Sequence, residues 1–304
     1  VKSLLREWIM VQTGAYNKEA RQYELPETMI GEAARFVACH EVGHSLGLRH
    51  NMIASNAYPT DSLRSKAFTD RVGGTAASIM DYARFNYVAQ PGDGIEQITP
   101  QIGPYDMMAI EWGYRVFEGD TPEEQEAARW KWYEEQKKTR PELAFYDSRD
   151  IRSQQEDLGN DHVAVNTCGI ENLKYLTSLD IWTPKSLTDE QVMKGRFLAL
   201  SNHYNLCTGH VFAHLGGYYY EDDYSAGMEA GRPRNPARKV SDTPEYTQKV
   251  LKFIQDYVAT PPVWLFDAKL TSALHLDRNK EIKRIRGQQM DHFDNALQRI
   301  GKAK

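Results

Sequence analysis

The chain has 304 residues, 41% hydrophobic and 26% charged, with a formal net charge of −5. These are globular proportions, enough for one large domain or two ordinary ones, and they lack the basic footprint of a nucleic-acid partner. No apolar stretch approaches the ~18 residues that cross a bilayer, and three cysteines are too few for a disulfide scaffold.

Leu4, Leu5, Trp8, Val11 and Ala15 recur at helical spacing, so the chain is expected to open with a helix. It begins at Val1, and no charged and apolar leader follows. The expectation is therefore an internal piece of a longer protein. A second helix is expected from about residue 26 to Leu46, with Ile30, Ala34, Val37 and Cys39 among its apolar positions.

The end of that helix carries the most specific pattern in the chain: His40-Glu41-Val42-Gly43-His44-Ser45-Leu46-Gly47-Leu48-Arg49-His50. It reads H-E-x-x-H-x-x-G-x-x-H. His40 and His44 sit ~40° apart around a helix and about 6 Å apart along it, so one ion can bridge both imidazoles. Glu41 is rotated ~100° from His40 and stands beside the metal, where it can act as a general base on water. Gly47 tolerates the left-handed backbone that ends helices, letting the chain turn and bring His50 back as a third ligand. Three protein ligands leave a position open, which is the catalytic rather than the structural pattern. With 9 His and 42 acidic residues in the chain, roughly 0.04 accidental H-E-x-x-H matches are expected. Cys39 adjoins His40 but points ~100° away from it, towards packing rather than the ion.

Residues 51–78, with Pro59, Gly73 and Gly74, read as an irregular segment leading to Ser78-Ile79-Met80-Asp81-Tyr82. Gly103-Pro104 starts another helix to about residue 114. Asp106 lies in its first turn, as a capping or supporting group rather than a ligand. Residues 121–139 form a charged, Trp-rich helix stopped by Pro141. Residues 148–161 are polar and read as a surface loop. Further helices are expected over 188–215, 243–258 and 278–300, with a short strand at 218–220. On the first of these, His203, Cys207, His210 and His214 make one stripe. A second metal there is conceivable, with Glu221, Asp222 or Asp223 as further ligands. A polar seam whose imidazoles are satisfied by neighbours is the favoured reading.

The long histidine motif followed by S-x-M-x-Y resembles the metzincin metalloendopeptidases. More narrowly, residues 39–51 and 78–88 resemble a family of large bacterial zinc-dependent metalloproteases with flanking domains of unknown function. The resemblance is specific over about 27–114 and extends less distinctively through 149–161 and the C-terminal region. It implies Zn2+ held by His40, His44 and His50, Glu41 as general base, Met80 in the turn beneath the histidines and Tyr82 near the metal. Such proteins place a twisted sheet before the active-site helix, yet only 39 residues precede His40 and they read mainly as helix.

The expected architecture is therefore mainly α. Residues 1–115 form a metzincin-like lower catalytic subdomain, 116–304 a helical C-terminal region, and the upper sheet is missing. The implied function is a zinc metalloendopeptidase using a zinc-activated water, weak or inactive as this piece alone. The implied partner is a peptide or protein substrate, and export to the periplasm, cell surface or medium is expected by resemblance only. The competing reading is an inactive, zinc-retaining module that binds a protein or glycan, and a zinc amidase is more distant. Oligomeric state is not legible.

Overall fold

The computed structural model describes residues 2–146, 150–221, 228–229, 232–233 and 237–302. It is mainly helical. Helix α1 spans Lys2–Thr13, α2 Glu27–Ser45, α3 Lys66–Val72, α4 Pro104–Tyr114 and α5 Pro122–Lys137. Then come α6 at His162–Ser178, α7 at Leu187–Phe212, α8 at Pro244–Ile254, α9 at Ala268–Ala273 and α10 at Arg278–Lys302.

Among the described residues, strands occur only as two short antiparallel pairs between α7 and α8. Strand β1 (Tyr219–Glu221) pairs with β4 (Arg238–Val240), placing Tyr219 opposite Val240. Strand β2 (Met228–Glu229) pairs with β3 (Arg232–Pro233).

Helix α2 buries Met29, Ala33, His40 and Gly43, an inward stripe at helical spacing. Met29 and Ala33 pack on Ile9 of α1 with Ala20, Leu25, Phe85 and Ile98. The other face of α2 lies in solvent, with Val37 49% and Val42 56% exposed. The largest core is built around α7, whose buried Phe197, Leu200, Tyr204, Cys207 and Val211 alternate at spacings of three and four. Against it pack α1, α6, α8 and α10. Met10 and Val11 share this core with Leu63, Tyr87, Leu173 and Phe253.

Two expectations need correction. Residues 150–161 are not a surface loop, because Asp150, Ser153, Asp157 and Leu158 are all buried. Two of the carboxylates find protein partners, Arg152 for Asp150 at 2.7 Å and Ser55 for Asp157 at 2.9 Å, and that offsets part of the cost of taking them out of water. Residues 147–149 lie outside the described set. Helix α6 was also unforeseen. Asp161 caps it by accepting from the Val163 and Ala164 amides.

The histidine stripe of α7 is a packed seam. His203 is buried and meets the Tyr87 ring edge to face at 4.9 Å. The His210 Nε2 atom lies 2.9 Å from the Gln155 carbonyl. Burial pushes His203 down to about 3 and His210 to about 4, from an ordinary 6.5. Below pH 6.5 the unfolded chain gains protons that these native imidazoles refuse. Each therefore removes up to about 1.4 kcal/mol of stability per pH unit as pH falls from 6.5 towards its folded value. Asp157, raised to about 7, acts in the opposite sense and offsets part of this loss. We predict that chemical denaturation from pH 6.5 to 4 shows stability falling, and that His203→Gln flattens the slope. An unchanged slope in the variant would contradict the assignment.

Candidate metal centre

The sequence motif folds as its spacing requires. Helix α2 ends at Ser45 with Leu46 as its C-cap, and Gly47 takes φ +86°, the left-handed turn that sends the chain back towards the helix. His40, His44 and His50 then converge, with one ring nitrogen from each lying within 4.8 Å of the others. The His44 and His50 Nε2 atoms are 3.1 Å apart.

Backbone carbonyls fix two of the three rings. His40 Nδ1–H donates to the Ile79 carbonyl at 2.8 Å, and His44 Nδ1–H donates to that of Leu48 at 2.9 Å. These tautomers leave both Nε2 atoms as lone pairs, the form a metal requires. Burial, then the neighbouring His40 and His44, lower the His50 imidazole below its ordinary value, while the Glu41 carboxylate acts in the opposite sense. The three rings are therefore a donor set suited to a cation that prefers neutral nitrogen. Without one, two lone pairs would face each other at 3.1 Å unless the His50 Nε2 carries a proton.

Residues 78–82 form the floor. The Met80 side chain is fully buried beneath α2, and a Cβ added at Gly43 would sit 2.3 Å from its sulfur. Gly43, the spacer between the two helical histidines, is thus a close-approach position. The Tyr82 ring stacks on His40 at 5.5 Å between centroids and lies 4.5 Å from that of His50. Asp106 caps α4 through the Gly103 amide at 2.8 Å, and it also accepts from the Ile79 amide and the Ser78 hydroxyl. Burial pushes its carboxyl up, against hydrogen bonds that favour the charged form. Asp106 thereby holds the carbonyl-bearing residue on which His40 leans. Glu41 is exposed on the solvent side of α2, and Cys39 is half-buried and unpaired.

Sequence reasoning missed Asn51, which directly follows the third histidine and is fully buried. Its backbone amide donates to the Met80 carbonyl at 3.1 Å. Its side chain donates to the Ala144 carbonyl at 2.9 Å and accepts from the Tyr146 amide at 3.3 Å, clamping an extended strip of chain beside the histidine loop. Its place at the motif's end was the available signal. We predict that Asn51→Ala costs about 1–3 kcal/mol, because it strands two backbone groups. Denaturant titration checks this, and a loss under about half a kcal/mol would mean the clamp is solvent-replaceable.

No second centre emerges among the described residues. Among the described residues, His40, His44 and His50 form the group that could hold a metal ion. Glu221 is instead paired with Arg238, and Asp222 and Asp223 lie outside the described residues.

A mainly helical fold with a three-histidine group on a helix end, backed by a methionine turn, defines a metzincin-like protein. The Met-zincin family model matches residues 22–301, and the chain belongs to that family. No curated protein and no solved structure matches it. No helix among the described residues is long and apolar enough to cross a membrane.

Proposed function

We propose that this chain carries the centre of a zinc-dependent metalloendopeptidase. The observation behind the reading is the convergence of three imidazoles, two with their Nδ1 atoms tied to carbonyls, beside an exposed glutamate one residue after His40. Zinc, held by His40, His44 and His50, would supply a Lewis acid that brings the pKa of water from ~15.7 towards ~7.

The chain's own residues do the rest. Glu41 takes the proton of the attacking water and returns it to the departing amine. Tyr82, packed on two of the three ligands, donates to the carbonyl oxygen as charge develops there. Met80 holds the underside of α2 at fixed depth.

Residues 1–115 carry this chemistry in the proposed division, with 116–304 as its support. The substrate class is a peptide or protein. Export follows from the likeness to secreted proteases and would be checked by fractionating cells that make the full-length protein.

The direct test is a mixed peptide library. Cleavage should vanish on chelation and return with stoichiometric zinc. A chain that binds zinc tightly yet cleaves nothing, alone and within its full-length parent, would favour the binding module instead.

A further inference from the structure

A line of buried polar groups runs from the methionine turn into the C-terminal helices. Asp81, fully buried between Met80 and Tyr82, accepts from the Ser55 amide at 2.7 Å and the Ala83 amide at 2.8 Å. The Ser55 hydroxyl donates to Asp157 Oδ1 at 2.9 Å. Asp157 Oδ2 lies 3.0 Å from His162 Nε2, close enough for an ion pair though not aligned as a hydrogen bond. His162 Nδ1 is 2.9 Å from His214 Nε2, and His214 Nδ1 is 2.8 Å from Asp242 Oδ2.

The Asp242 carboxylate accepts from His214 Nδ1–H, so a neutral His214 offers a lone pair at Nε2. His162 Nδ1 lies within reach of both that lone pair, at 2.9 Å, and the Gln154 side-chain amide, at 3.1 Å. Burial raises Asp157 to about 7 and lowers His162 to about 3. The charged or titratable groups facing Asp157 are Asp81, Tyr87, His162, His210 and His214.

We propose that Asp157 is a positioning residue for the metal centre. Through Ser55 and Asp81 it fixes the turn on which the three histidines rest. Three contacts of that turn carry the link: the Ile79 carbonyl holds His40, Tyr82 packs on His40 and His50, and the Met80 carbonyl holds Asn51. A shift at Asp81 thus reaches every ligand-bearing segment. Burying two carboxylates and two imidazoles in one line is costly for a fold, and only the 3.0 Å approach of Asp157 Oδ2 to His162 Nε2 compensates those two atoms. The inference rests on the metal-centre reading above.

Cobalt is the probe, because zinc has no visible d–d bands and cobalt at the same ligands reports their geometry. Asp157→Ala and Ser55→Ala should each weaken cobalt binding by about 10–100-fold and shift its visible bands, as losses behind metal ligands do. Asp157→Asn keeps an acceptor for the Ser55 hydroxyl and should restore both readouts. Leu173→Ala, a cavity in the same C-terminal core, should lower stability and leave the bands unchanged. If Asp157→Ala does not fold, Ser55→Ala carries the test.

Bands and affinity unchanged in Ser55→Ala and Asp157→Ala would overturn the proposal while leaving the metal centre intact. So would equal perturbation by Leu173→Ala, which would reduce the effect to general loosening. A parental chain that takes up no cobalt would overturn the metal-centre reading and this proposal together.

Discussion

Glu41→Gln is expected to lower peptide cleavage by about 10²–10⁴-fold while leaving metal content unchanged. Glutamine keeps the size of the side chain and cannot take a proton. Glu41 sits on the exposed face of α2, outside the set of nitrogens that converge, so its replacement removes no ligand. The variant should bind a substrate-like inhibitor about as tightly as the parent, because binding and proton transfer are separate roles. Full-length protein is the proper material, assayed by turnover and by metal analysis on the same preparation. A variant that cleaves at the parental rate would remove Glu41 from the mechanism. One that loses the metal would move it into the ligand set.

His44→Ala should have the largest effect on the centre itself. It deletes one of three converging nitrogens and frees the Leu48 carbonyl, which His44 now holds at 2.9 Å. That carbonyl belongs to the turn leading to His50, so His50 also loses its guide. Metal affinity should fall by more than the roughly 10–100-fold that accompanies loss of a hydrogen bond behind a ligand. Equilibrium dialysis against a competing chelator measures it. Retention of parental affinity would show that the ion is held elsewhere. The fold should survive, because the main core draws on α1, α6, α7, α8 and α10 rather than on this face of α2.

The metal-binding pattern was legible because helical geometry converts spacing directly into proximity. His40, Gly43, His44 and Gly47 lie within two turns, and no distant residue is needed to bring them together. Helix α4 was equally plain, since Pro104 at its first position and Asp106 in its first turn are local signals. What could not be read were the long-range partners. Ser55 and Asp157 are 102 positions apart, and each alone is an unremarkable polar residue. Residues 150–161 looked exposed because polarity usually means solvent, whereas here it means a buried network. Helix α6 escaped because Asn166, Gly169 and Asn172 interrupt its apolar stripe. The Asn172 amide leaves the helix to bond the Tyr87 and Ala89 carbonyls. A residue chosen for a contact outside its own helix carries no periodic signal.

The close approach of Gly43 to Met80 has a consequence for how this sequence can drift. The spacer between the paired histidines is written as free in the motif, yet here positions 43 and 80 divide one fixed volume between them. Any larger residue at 43 requires a shorter or re-routed one at 80, and that exchange would withdraw the floor from under both histidines. The two positions, 37 apart in the chain, are therefore expected to change together. A search that scores the histidines while ignoring the pair would accept chains whose imidazoles have nothing to rest on.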